Sequence, residues 1–133
     1  MTKLIKAEEF CNKSNGKPWV NRAEGDEAYD CWGLVLASFR EIDGTELPVA
    51  TGYSDKNCST EDAAKTIDMG RFVPCQPRDG AIMAVFDSKE NLTHVGRCLC
   101  GRVLHSTIRL GVRWDSYQSI NNSHGNIRYF KYD

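Results

Sequence analysis

The sequence predicts a single α+β domain, with helices in the first half and antiparallel strands in the second. Two patterns predict this class. Apolar residues recur at helical spacing in the first half, and short apolar runs bounded by turn residues fill the second half. At 133 residues the chain is long enough to build one core, so we assign residues 1–133 to one domain.

Two helices are predicted near the N-terminus. The first spans residues 6–15 and is followed by Gly16, a residue type that often ends helices. The second begins at Cys31 and ends near Ile42, because the small and apolar residues between them return to one helical face. Asp30 stands directly before it, where a carboxylate accepts the free backbone N–H groups of a helix start.

The rest of the first half is predicted to be mostly irregular. Pro18 favours an extended conformation over residues 17–20, and residues 21–27 form a polar, glycine-containing loop. Residues 45–58 show no periodicity and are also read as a loop. A third helix is predicted from about residue 61 to residue 69.

The second half has the pattern of an antiparallel sheet. Apolar runs of strand length alternate with turn residues, after a short extended link at 71–76. A polar turn is predicted at 121–126. The predicted strands cover residues 80–86, 92–100, 102–108, 111–117 and 127–132.

Charge and hydropathy exclude several function classes. The net charge of -1 gives no basic excess, so no nucleic-acid partner is predicted. The apolar runs are too short to span a membrane, and no membrane partner is predicted. The N-terminus lacks the apolar core of a signal peptide, so we expect the chain to be made and folded in the cytoplasm.

The six cysteines are expected to be free thiols, because a cytoplasmic origin disfavours disulfides. Cys98 and Cys100 are two positions apart and are expected on one face of a strand. A zinc site can be drawn through His94, Cys98, Cys100 and His105. Residues on adjacent strands rarely converge tetrahedrally without a turn between them, so we predict no metal and no other cofactor.

Cys31 is the candidate nucleophile. A thiol in the first turn of a helix lies at the positive end of the helix dipole, which stabilises the thiolate. The alternative is that Cys31 is a small core residue, because free cysteine is among the most buried residue types.

His94 and His105 are the candidate base and its orienting partner. They flank a hairpin tip at Gly101, which places them nearly opposite each other on adjacent strands. If this sheet packs on the Cys31 helix, one imidazole reaches the sulfur and the second orients the first. The alternative is that both make ordinary structural hydrogen bonds. His124 lies in the polar turn and is expected at the surface, with no role.

Four short motifs occur in a familiar order: DCWGLV at 30–35, PRDG at 77–80, THVG at 93–96 and VLHS at 103–106. With them the sequence resembles the NlpC-type cell-wall peptidases, a family of papain-like cysteine peptidases. The form DCWGLV, preceded by GKPWV at 16–20, looks most like the branch found in bacteriophage tail proteins. The resemblance covers about residues 5–132.

The resemblance implies a papain-like core and a cysteine peptidase mechanism. Cys31 would be the nucleophile, His94 the general base and His105 the residue that orients it. The substrate would be a peptidoglycan stem peptide, commonly cut between D-glutamate and the diamino acid. The backbone N–H of Cys31 would stabilise the oxyanion.

Three further residues are candidates for substrate binding by the same resemblance. Trp19 lies near the position where many members have a tyrosine that donates to the oxyanion. Trp32 replaces a small polar residue, so its indole is expected to narrow the cleft. Asp30 either binds the free amine of a stem peptide or caps the helix, and both readings stay open.

The absence of a wall-binding domain and of an export signal fits an enzyme carried to its substrate by phage tail-tip proteins or released on lysis. We therefore expect a virion location. Two alternatives are a structural tail component without hydrolysis, and a cysteine amidase or acyltransferase acting on a substrate other than peptidoglycan.

Overall fold

The computed structural model describes residues 2–47, 59–68 and 71–132. Helices pack on one six-stranded antiparallel sheet, with a small two-stranded hairpin beside them. The helices are α1 (Lys3–Ser14), α2 (Cys31–Ser38), α3 (Ser59–Ile67) and α4 (Tyr117–Ser123), and one π-helical turn covers Phe39–Asp43. The strands are β1 (Glu24–Gly25), β2 (Ala28–Tyr29), β3 (Phe72–Cys75), β4 (Ile82–Phe86), β5 (Leu92–Leu99), β6 (Arg102–Thr107), β7 (Gly111–Asp115) and β8 (Ile127–Tyr132).

The sheet order is β3-β8-β4-β5-β6-β7, and every neighbouring pair is antiparallel. β5 lies inside the sheet and pairs with β4 on one side and β6 on the other. Strands β5, β6 and β7 are consecutive in sequence and in space, as short hairpin connections favour. Residues that are distant in the sequence therefore come together on the neighbouring strands β5, β6 and β7.

Helix α2 is the most buried helix among the described residues. Seven of its eight residues are buried, because the sheet, α3 and the β1–β2 hairpin surround it. The sequence pattern indicated one apolar face, but nearly the whole helix lies in the core. The π-helical turn that follows ends at Gly44, whose left-handed backbone (φ 67°) suits glycine.

Arg97 on β5 connects the sheet to the helices from inside the core. Its guanidinium lies 2.6 Å from the Asp43 carboxylate and donates to Ser38 Oγ at 3.3 Å and to the Gly80 carbonyl at 3.2 Å. It also lies 3.6 Å from the centroid of the Phe39 ring. A buried arginine is tolerated here because its charge is paired and its donors have partners.

Most predicted elements are confirmed within a few residues, and three segments differ. Residues 21–27 contain β1 and lead into a two-stranded hairpin, and the extended link at 71–76 is strand β3 of the sheet. Part of the predicted turn at 121–126 is the end of helix α4. The Ser116 hydroxyl caps α4 by accepting from the Ser119 N–H at 3.1 Å. Of the loop predicted at 45–58, residues 48–58 lie outside the described residues.

Cys98 and Cys100 do not share a face of the sheet, which corrects the expectation. Cys98 is buried in a cluster with Met83, Val103 and other apolar residues. Cys100 packs against the α1–α2 side, because it lies in the β5–β6 turn with a φ of 54° rather than in the strand. The cysteines at positions 11, 31, 75, 98 and 100 are free thiols, and Cys58 lies outside the described residues.

None of the described helices combines the length and the apolar character that crossing a bilayer requires.

Candidate active site

Asp30 caps the helix that begins with Cys31. One carboxylate oxygen of Asp30 accepts from the Gly33 N–H at 2.7 Å, and the other accepts from the Arg22 N–H at 2.7 Å. The Asp30 side chain is only 1% exposed. The structure therefore gives Asp30 the capping role, and binding of a substrate amine by this carboxylate stays a prediction.

Two contacts hold the start of α2 against strands β5 and β6. The hydroxyl of Ser106, the residue after His105, donates to the Tyr29 carbonyl at 2.7 Å. Cys31 itself is 6% exposed and belongs to the same buried cluster as Val95, the residue after His94. The chain thus brings the candidate nucleophile to the two strands that carry the candidate histidines.

Gly33 makes this packing possible. A Cβ atom at Gly33 would lie 2.0 Å from the Ala23 carbonyl oxygen, so only glycine lets the segment before the β1–β2 hairpin rest on the first turn of α2. That same Ala23 carbonyl accepts from the Asp30 N–H at 2.9 Å. The segment before the β1–β2 hairpin is therefore both packed against the start of α2 and hydrogen-bonded to it.

His94 and His105 are in direct contact, as the hairpin prediction required. His94 Nε2 lies 2.8 Å from His105 Nδ1, and the two rings meet edge to face. His105 pairs across the strands with Gly96, so His94 is its diagonal neighbour. A Cβ atom at Gly96 would lie 2.9 Å from the Cβ of His105, and its absence lets the two strands approach here.

Asp115 is a site residue that the sequence analysis missed. Its carboxylate Oδ2 lies 2.8 Å from His105 Nε2, at the end of β7. The sequence does show an acidic residue in the strand that follows His105. Whether the Asp115 carboxylate reaches the His105 imidazole depends on the β6–β7 register, which the sequence does not give. In that register His105 faces Arg113, and Asp115 is two residues further along β7.

The Asp115 carboxylate determines how protons are distributed over the two rings. Because a carboxylate accepts, His105 carries its proton on Nε2 and presents a lone pair at Nδ1. His94 must then donate from Nε2, which leaves a lone pair on its Nδ1. The series therefore ends in a basic nitrogen that is free to take a proton from a thiol.

Burial keeps both histidines neutral near neutral pH. Desolvation, together with the neighbouring imidazoles of His105 and His124, lowers the pKa of His94 to about 3. Burial also lowers the pKa of His105, although the hydrogen bond and charge of Asp115 act in the opposite direction. A neutral imidazole is the form that can act as a base.

His124, which was expected at the surface with no role, is only half-exposed and lies beside His94. The two rings stack with centroids 5.5 Å apart and planes inclined by 19°. His124 follows directly after α4, and the helix that was not predicted is what brings it to the sheet. Its imidazole is half-buried.

Among the residues that the structure describes (2–47, 59–68 and 71–132), the three histidines are the side chains that lie close enough together to hold one metal ion. One ring nitrogen of each lies within 4.8 Å of the others. Cys98 and Cys100, which a zinc site was drawn through, are not part of it. Burial raises the pKa of Cys98 to about 11, and its thiol is hydrogen-bonded with Tyr117 instead.

The two candidate tryptophans differ in burial. Trp32 is 5% exposed and packs in the core, which leaves little of its indole for a substrate. Trp19 is half-buried in the segment before α2, where the Pro18 carbonyl accepts from the Tyr29 N–H at 3.1 Å. Substrate contact by either indole stays a prediction.

Several solved structures share this architecture. The NlpC/p60 domain of the peptidoglycan hydrolase SagA superposes with a TM-score of 0.62 at 14% identity, covering 97% of this chain and 97% of that one. NlpC2 from Trichomonas vaginalis gives 0.64 at 17% identity, covering 98% of this chain and 46% of that one. The chain has the NlpC/p60 fold. A lipoprotein-like NLP/P60 protein from Staphylococcus aureus gives 0.63 at 17% identity, with 98% and 42% covered.

The NlpC/p60 fold confirms the predicted α+β class with a papain-like core. No protein-family model and no curated protein matches the sequence. At identities of 14–17% the likeness establishes the fold alone. The assignment of activity therefore depends on the residues of this chain.

Proposed function

We propose that this protein is a cysteine peptidase or amidohydrolase that cuts peptidoglycan stem peptides. The observation that carries the proposal is the hydrogen-bonded series of His94, His105 and Asp115 beside a capped helix that begins with Cys31. The NlpC/p60 fold supports the same reading, since one of its solved examples is a domain of a peptidoglycan hydrolase.

In the proposed reaction, His94 Nδ1 takes the proton of the Cys31 thiol, and the thiolate attacks the carbonyl carbon of the scissile amide. The N–H groups at the helix start stabilise the oxyanion of the tetrahedral intermediate. The His94 imidazolium then returns its proton to the leaving amine as the C–N bond breaks, which leaves a thioester. His94 next deprotonates a water molecule, which cleaves the thioester and restores the thiol.

The finer parts of the proposal concern the bond and the setting. The resemblance to the NlpC-type peptidases, which commonly cut between D-glutamate and the diamino acid, is the support for cleavage at that bond of the stem, and Trp32 is the residue at which this chain departs from their pattern. The DCWGLV form supports a place among phage tail-tip proteins, and hence a virion location. Detection of the chain in purified phage particles from the organism that encodes it would support this setting, and its absence from them would count against it.

Defined stem peptides test the activity. We expect the protein to release the diamino-acid fragment, identified by mass spectrometry, and the Cys31→Ala variant to release none while keeping its circular dichroism spectrum. Cys75→Ala, which removes another free thiol, is the matched control and should retain activity. Full activity of Cys31→Ala would overturn the proposal.

The same assay distinguishes the two alternatives. A folded wild-type protein that cuts neither stem peptides nor intact sacculi would be the structural tail component, a reading that the low exposure of Cys31 favours. Activity on peptide or lipid acyl donors, with none on stem peptides, would indicate an amidase or acyltransferase with another substrate.

A further inference from the structure

The chain has three histidines, and all of them meet at one place. They come from three separate elements: His94 from β5, His105 from β6 and His124 from the segment after α4. The peptidase reaction proposed above uses two of them and leaves His124 without a task. We propose that the three imidazoles form a binding site for a zinc-class divalent cation, and that an ion bound there blocks the hydrolase. The second clause rests on the proposed function, and the first does not.

The distances are close to those that a metal needs. With metal–nitrogen bonds of about 2.0–2.1 Å, tetrahedral ligands lie roughly 3.4 Å from each other. One nitrogen of each ring lies within 4.8 Å of the others, so no pair has to close by more than about 1.4 Å, whereas the His94 and His105 nitrogens that lie 2.8 Å apart would separate by about 0.6 Å. His124 is the ligand that can move, because it is half-buried and follows the end of a short helix.

Asp115 supplies the outer support that such a site requires. Metal-bound histidines usually donate their second ring N–H to a carboxylate or a carbonyl, which fixes the ring and the tautomer. His105 has this arrangement: Nε2 faces Asp115 at 2.8 Å, and Nδ1 points to His94. Three imidazoles with one open position are a ligand set that zinc accepts, with water as the fourth ligand.

Metal binding and catalysis exclude each other in this geometry. The His105 Nδ1 lone pair accepts the hydrogen bond from His94 Nε2 when the site is empty. An ion on that lone pair displaces the hydrogen bond and removes the partner that orients the base. The bound ion therefore acts as a reversible inhibitor, and removing it with a chelator restores activity.

Direct binding is tested on tag-free protein with Zn²⁺ as the probe. We expect calorimetry to show one site. Nitrogen-15 spectra should show the imidazole signals of all three histidines shifting together, an observation that needs no variant. His124→Ala should weaken the affinity at least tenfold, whereas Gln118→Ala on the exposed side of α4 should leave it unchanged.

Three outcomes would overturn the site: imidazole signals that do not respond to Zn²⁺, an unchanged affinity in a folded His124→Ala variant, and binding that is lost in Cys31→Ser. The last outcome would show that a thiol, and not the imidazole trio, holds the ion. The inhibition is read separately, as the Zn²⁺ concentration that halves activity, and it should match the dissociation constant. Zinc binding by a protein that never cleaves stem peptides would support the site while contradicting only the proposed function.

Discussion

At the scale of single residues, Asp115 determines which nitrogens of His94 and His105 carry protons. A base for the thiol requires a lone pair on His94 Nδ1. That lone pair is present when His105 Nε2 donates to Asp115 and His94 Nε2 donates to His105 Nδ1. The charge also stabilises the imidazolium that forms when His94 takes the proton. Asp115 is therefore a positioning residue that acts through His105.

Asp115→Asn should lower kcat/KM by roughly a hundredfold, because an amide can donate to His105 Nε2 and reverse the tautomers. The pH dependence of kcat/KM should shift as well, which a purely structural role would not cause. Arg113→Gln is the matched control, since it removes the outer ion pair at 3.8 Å and leaves the His105 contact intact. Equal losses in the two variants would contradict the role given to Asp115.

The lowered pKa of His94 predicts a pH dependence of the free energy of unfolding. Its pKa falls from 6.5 to about 3 on folding, so below pH 6.5 the unfolded chain binds a proton that the folded protein refuses. Above pH 6.5, His94 causes no loss of stability. Below pH 6.5, protonation of His94 in the unfolded chain should lower the free energy of unfolding by about 1.4 kcal/mol for each pH unit. Urea unfolding between pH 6.5 and pH 5 measures the slope. His94→Gln should flatten it, and an unchanged slope would refute this account.

At the scale of elements, the start of α2 carries the site. The cap, the absent side chain at Gly33 and the Ser106 contact together fix the helix start against β6. The cap is local, the carbonyl next to Gly33 belongs to a segment ten residues earlier, and the Ser106–Tyr29 contact joins residues 77 positions apart in the sequence. A change in the cap should therefore alter both stability and the position of the thiol.

Asp30→Ala should lower the free energy of unfolding by about 2 kcal/mol, because it leaves the N–H groups of Gly33 and Arg22 without their acceptor. Asp30→Asn keeps an oxygen for the cap and should cost about half as much. Chemical denaturation of the three proteins measures this. A raised KM in folded Asp30→Asn would support amine binding, whereas an unchanged KM would leave capping as the role of Asp30.

The sequence could predict the features that depend on neighbouring residues, but it could not predict those that depend on contacts between distant segments. The α2 start was predictable, since Asp30 and Cys31 are neighbours, and the hairpin at Gly101 was enough to bring His94 to His105. Helix α4 was not predictable from periodicity, because it has seven residues, mostly polar, and its one buried side chain is Ile120. The approach of His124 and the Asp115 contact depend on that helix and on the β6–β7 register, which no local pattern determines.

At the scale of the whole molecule, Arg97 holds the helical layer to the sheet. Burial lowers the pKa of Arg97, and the neighbouring Asp43 acts to raise it, so the pair is held together as charges inside the protein. Asp43 reaches Arg97 from the π-helical turn that follows α2. The site and this ion pair thus lie at the two ends of the same helical segment.

Asp43→Ala should cost about 3–5 kcal/mol, because it leaves a buried guanidinium without its partner charge. Lys3→Ala should cost less than about 0.5 kcal/mol, although the Lys3 amine lies 3.1 Å from the same carboxylate, because that amine is exposed. Thermal and urea unfolding compare the two variants. Similar losses would show that the buried pair does not join the layers as described.

The rate at which iodoacetamide alkylates Cys31 measures whether the imidazole series activates this thiol. With each cysteine followed by peptide mapping, we expect Cys31 to react faster than the half-buried Cys75 and Cys100, although Cys31 is the more buried thiol. We expect His94→Gln to remove this advantage. A Cys31 that reacts no faster than the other two, or that reacts equally fast without His94, would contradict activation by the imidazole series.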